Sequence, residues 1–175
     1  TGIFTDNVQS LWQKIFDKHL GGKPITRVIA THLHTDHTGN AGWICRKWDC
    51  ELWMSRSDFY MCKVMAHDGP SDVPDDAIRF YRRAGFTEDR LTRYRERFGS
   101  FGASIAPLPA GYERITDGQY IDIGGREWRA AIGHGHAPEH VCLYCPELKV
   151  IIAGDQILPK ITPNVSVQPS EPNAN

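Results

Sequence analysis

The chain has 175 residues, 41% of them hydrophobic and 10% aromatic, which is enough for one domain with a core of its own. Its formal net charge of −1 gives no bulk attraction to nucleic acid or to an anionic membrane. No apolar run approaches the roughly 18 residues of a membrane span.

In chain order, Asp6 is placed to cap a helix over residues 7–20. Val8, Leu11, Trp12, Ile15, Phe16 and Leu20 keep helical spacing there, and Gly21-Gly22 end it. The β-branched run from Ile25 to Thr31 predicts a buried strand that delivers His32 at its C-terminal end. A helix over 40–48, a short strand over 51–54 and a helix over 56–67 follow, then a polar, turn-rich loop over 68–76. Residues 75–84 and 87–98 read as helices rich in arginine. From about residue 112 the pattern changes to strands over 119–123, 126–132, 140–145 and 149–153, with turns at 122–125 and 146–149. The prediction is a layered α/β fold in which long helical matter separates two strand-rich parts.

Five cysteines, an odd number in a chain of this size, argue against a disulfide framework and fit a reducing, cytoplasmic compartment. Cys142 and Cys145 have C-x-x-C spacing but sit in an apolar strand pattern, so they are read as strand residues rather than a redox or zinc motif.

The chemistry is carried by His32-Leu33-His34-Thr35-Asp36-His37. Three histidines and an aspartate in this order are expected by chance roughly one time in a thousand for such a composition. Placed after a strand, His32 and His34 can reach one metal ion while Asp36 and His37 point at a second. A second segment, from Gly133 to His140, carries His134, His136 and His140 between two strands. A third, Ile151-Ile152-Ala153-Gly154-Asp155, sets a carboxylate at the end of an apolar strand. Each of the last two is weak alone; the three together, in this order, are much stronger.

This succession resembles the metallo-β-lactamase superfamily over nearly the whole chain. The resemblance implies an αββα sandwich with metals at one edge of the paired sheets. It implies His32, His34 and His136 on the first ion, Asp36 and His37 on the second, and Asp155 bridging both. His140 matches a supporting position rather than a ligand, and His134 matches nothing. The family's final histidine ligand has no counterpart after His140, and its first strands would lie before Thr1. The chain is therefore read as a single partial domain, residues 1–175, incomplete at both ends. It carries a helical insertion over 56–105, and as an isolated piece it is expected to be unstable.

The implied activity is hydrolysis by a metal-bound hydroxide, with two zinc ions (or iron or manganese) as cofactor and Asp36 orienting the hydroxide. His34 stands where the oxygen-reducing branch resembles a carboxylate, and Asp155 stands where true β-lactamases generally lack one. The pattern is thus more similar to the thioesterase (glyoxalase II-like), lactonase and phosphodiesterase branches. A thioester or lactone is the expected small-molecule substrate. A phosphodiesterase or nuclease, a β-lactamase and a non-catalytic metal-binding domain are the alternatives. Neither nucleic acid nor membrane is expected as a partner. The insertion would shape the substrate pocket or a contact between subunits, and its arginines could receive an anionic substrate.

Overall fold

The computed structural model describes residues 1–68 and 73–173. Part of the expected loop over 68–76 lies outside them. Helix α1 spans Asp6–His19. Its cap is Thr5 rather than Asp6: the Thr5 hydroxyl accepts from Val8 N at 3.3 Å, and Asp6 becomes an acidic first-turn residue facing the positive helix end. Strand β1 (Arg27–Ile29) is followed by the short helix α2 (Thr35–Thr38) and by α3 (Ala41–Trp48). Next come β2 (Glu51–Met54), α4 (Arg56–His67), α5 (Asp75–Arg83) and α6 (Glu88–Arg97), then a 3-10 turn at Phe101–Ser104. The chain continues through β3 (Glu113–Arg114), β4 (Tyr120–Ile123), β5 (Arg126–Gly133), β6 (His140–Cys145) and β7 (Val150–Ile152).

Two sheets result. Strands β1, β2 and β3 form a parallel sheet in that order, with Val28 opposite Leu52 and Trp53 opposite Glu113. Strands β4 to β7 form an antiparallel meander in sequence order. The two-residue β3 was not expected from sequence, being too short to show any periodicity.

Alternation along the parallel strands sorts the core into two clusters. Val28, Leu52 and Met54 face the helices and pack with Phe16, Ile44 and Phe59. Ile29 and Trp53, on the opposite face, pack against Ile121, Trp128, Ala130, Val141 and Leu143 of the meander. Each large side chain so buried stabilises the fold by about 1.5–3 kcal/mol. The two sheets are also joined directly, because Val141 N donates to Thr31 O at 2.7 Å, one residue before His32. All five cysteines are free thiols, and Cys142 and Cys145 both lie in β6 as expected. Among the described residues no helix is long and apolar enough to cross a membrane.

Candidate metal centre

His32 leaves the end of β1 and is fully buried. The chain then turns into α2, whose start presents His34, Asp36 and His37 on one tight bend. Thr38, at the end of α2, is itself buried and donates its hydroxyl to His32 O, which closes the bend. From the meander come His136, on the loop between β5 and β6, and Asp155, just after β7.

These residues converge. Candidate ligand atoms of His32, His34, His136 and Asp155 all lie within 4.8 Å of one another, and so do those of Asp36, His37 and Asp155. His34 Nδ1 and His136 Nε2 are 3.0 Å apart. Asp155 belongs to both groups. Its Oδ2 is 3.4 Å from His136 Nε2 and 3.9 Å from His32 Nε2, while its Oδ1 is 3.3 Å from His37 Nε2. Asp36 Oδ2 lies 3.4 Å from His37 Nε2, on the open side of the cluster. All six residues singled out from the sequence are thereby brought together.

Protonation favours ion binding. Burial, reinforced by the surrounding His37, His140, His34 and His136, holds the His32 imidazole down to about 2. His34 is lowered as well, by burial and then by His136. Neutral imidazoles keep a lone pair for an ion. His32 Nε2 is moreover a buried nitrogen without a hydrogen-bond partner, aimed into the cluster. An unsatisfied buried polar atom costs free energy unless something at the site meets it, so this donor set fits a borderline metal such as zinc.

The supporting contacts are equally specific. His32 Nδ1 is 3.0 Å from Thr31 Oγ1, and His136 Nδ1 donates to Asn164 O at 2.9 Å, which leaves Nε2 of each ring facing the cluster. His140 is not in either group. Its ring stacks on His32 with centroids 4.5 Å apart, and its Nε2 accepts from Asp155 N at 3.1 Å, which positions the shared carboxylate. Burial, then His136, lowers the His140 pKa to about 4. His134 is a loop histidine whose Nδ1 lies 2.6 Å from Pro138 O.

Sequence reasoning missed Asp58 and left Glu139 without a role. Asp58 is fully buried in the first turn of α4, and its two oxygens accept from Leu33 N at 2.8 Å and Glu139 N at 2.7 Å. Burial pushes its carboxyl up, against the pull of those two bonds. Glu139 Oε2 in turn accepts from Ser57 N at 2.7 Å. The only signal in the sequence was Ser55-x-x-Asp58, a helix-capping pattern that says nothing of partners 25 and 81 residues away.

Comparison with known proteins bears on the family and the fold. A family model described as the metallo-beta-lactamase superfamily matches residues 1–174. A beta-lactamase domain protein from Burkholderia ambifaria has a crystal structure 34% identical to the chain, with a TM-score of 0.83 over 99% of this chain and 49% of that one. A metallo-beta-lactamase family protein from Thermus thermophilus is 22% identical, with a TM-score of 0.74 over 98% of this chain and 54% of that one. A third structure, of a protein in a di-iron-bound form, is 18% identical and has a TM-score of 0.57 over 90% of this chain and 64% of that one. An uncharacterized protein of Aquifex aeolicus is 24% identical over 75% of this chain and 48% of its own length. The chain thus spans about half the length of the first of these relatives. With its fold, its histidine-rich strand ends and a match along almost its full length, the chain belongs to the metallo-beta-lactamase superfamily.

Proposed function

We propose that the chain is the metal-binding part of a hydrolase that cleaves an ester-like bond, a thioester or lactone, at a site for two adjacent ions. The observation that carries this reading is the Asp155 carboxylate, which turns one oxygen to His32 and His136 and the other to His37. His32, His34 and His136 would hold one ion, Asp36 and His37 the other, with Asp155 between them. Such ions, when bound, polarise a substrate oxygen and make water nucleophilic near neutral pH.

The chain's own residues supply the rest. His32, buried and neutral, offers a ligand that needs no deprotonation at working pH. Asp36 lies at the open face, beside His37, where its carboxylate can take a proton from the attacking water and return it to the leaving group. Around the site, Tyr81 Oη of α5 reaches Gln168 Oε1 at 3.4 Å, on the same C-terminal stretch whose Asn164 carbonyl orients His136. This contact supports a role for the helices after β2 as a wall of the substrate pocket.

Metal content of the purified protein, measured for zinc, iron and manganese with and without Asp155→Ala, tests the reading. Iron is included because one structural relative was solved in a di-iron form. About two ions per chain that fall on mutation, with turnover of thioesters or lactones, are the expected result. No bound metal, or metal indifferent to Asp155, would overturn it.

A further inference from the structure

The contacts of Asp58 and Glu139 reach beyond helix capping. Asp58 stands three residues after Ser55, at the place where a short acidic side chain ordinarily serves its own helix. Both of its oxygens go elsewhere. One takes Leu33 N, the backbone amide between His32 and His34; the other takes Glu139 N, on the loop that runs from His136 to His140. The amide at the start of α4, Ser57 N, is met instead by the Glu139 carboxylate. Two carboxylates thus exchange helix and loop partners across 82 and 81 residues of sequence.

We propose that Asp58 and Glu139 form a reciprocal clamp, hung on the first turn of α4, that fixes the distance between the two loops bearing the metal ligands. The proposal rests on the reading of His32, His34, His136 and Asp155 as ligands. The parallel sheet carries one loop and the meander carries the other, and 3.0 Å separates His34 Nδ1 from His136 Nε2. A fully buried carboxylate is costly, and its two N–H partners, with the nearby Ser55 hydroxyl, offset part of that cost. It cannot shift without stranding one loop amide. Asp58 and Glu139 are therefore positioning residues: they touch neither substrate nor ion, and they act through the backbone on either side of the ligands.

Asp58→Asn keeps the size of the side chain but turns an NH₂ group toward one of the two N–H donors. Glu139→Gln keeps an acceptor for Ser57 N, and Glu139→Ala does not. On the full chain, zinc affinity is measured by competition with a chromophoric chelator, and ligand geometry by the visible spectrum of the cobalt-substituted protein. Urea unfolding of the metal-free form is followed in parallel. Asp58→Asn and Glu139→Ala are expected to bind zinc about 10–100-fold more weakly and to alter the cobalt bands, as removal of outer partners of metal ligands does. Glu139→Gln is expected to retain both properties.

Two results would overturn the clamp. One is an unchanged affinity and cobalt spectrum in the folded Asp58→Asn protein, with only its urea midpoint lowered. The other is a Glu139→Ala protein that matches Glu139→Gln. Should Asp58→Asn fail to fold, the Glu139 pair decides alone: affinity lost in alanine and kept in glutamine upholds the clamp, and any other pattern overturns it. Asp155→Ala separates this test from the underlying reading. If zinc binding ignores Asp155, the ligand assignment fails; if it needs Asp155 but not Asp58 or Glu139, only the clamp fails.

Discussion

Gly154 offers a sharp test of how tightly Asp155 is set. Its φ of +50° lies in the left-handed region, and a Cβ built there would stand 2.6 Å from His140 Cε1, 2.7 Å from His140 Nε2 and 3.1 Å from Thr31 Oγ1. The imidazole cannot retreat, because His140 is fully buried and stacked on His32. Gly154→Ala should therefore carry two costs: about 1–2 kcal/mol for the left-handed backbone and about 1–3 kcal/mol for overpacking. Gly124→Ala is the matched control, since φ is +65° there and nothing lies within 4 Å of the new Cβ. That variant should carry the backbone cost alone. In a chain of this length the difference corresponds to a melting temperature lower by roughly 2–12 °C for Gly154→Ala. The same change should push Asp155 N off His140 Nε2 and lower the metal content. Thermal unfolding of the two metal-free variants side by side, with elemental analysis of each, is the assay. Equal melting temperatures and an unchanged metal content would refute the packing argument.

Other perturbations probe other layers. Asn40 Nδ2 donates to Gly2 O and Ile3 O, both at 2.9 Å, from a fully buried side chain. Asn40→Asp sets an acceptor against those carbonyls and should cost about 3 kcal/mol or more in urea unfolding; a loss under about 1 kcal/mol would contradict the donor role. Phe59 is 1% exposed and stacks on Tyr112 with centroids 3.9 Å apart, so Phe59→Ala should lose about 3–5 kcal/mol by the same measurement. Stability of the metal-free protein should also fall with acid. His32 is held at about 2 and His140 at about 4, against an ordinary 6.5, so the unfolded chain takes up protons first. Their contribution is complete above pH 6.5 and is lost progressively as pH falls through about 4 toward about 2. A urea midpoint that does not fall between about pH 7 and pH 5 would show those histidines to be solvated.

Much of this was legible in the sequence because its signals are local. Alternation and turn chemistry give β4 to β7 to within a residue or two, and helical spacing gives α1 and α4 to α6. The dense run His32 to His37 points to a candidate metal centre by its composition and spacing, whereas His136 and Asp155, weak signals alone, were singled out through the family resemblance. What stayed hidden depends on partners distant in sequence. Glu113–Arg114 is a strand only because β2 lies beside it. Asp58 reads as a capping residue until the fold brings Leu33 and Glu139 to it. The cap of α1 went to Thr5 because two neighbouring residues were both competent, and only backbone geometry, extended at Thr5 with φ −146°, decides between them.

The division of the candidate ligands between two sheets also bears on the order in which the chain assembles. The meander β4 to β7 closes through short hairpins, so its contacts are local and quick to form. Parallel β1, β2 and β3 need long crossovers, and loop-closure entropy makes such pairing slow. Neither half alone would hold the proposed ligand set, because His32, His34, Asp36 and His37 ride on the slow half and His136 and Asp155 on the fast one. If these residues hold the ion, as proposed, its capture would wait for the two halves to dock. A metal bound that late would slow escape from the native state and leave the climb to the folding barrier unaided, so its contribution to the protein's lifetime would be kinetic.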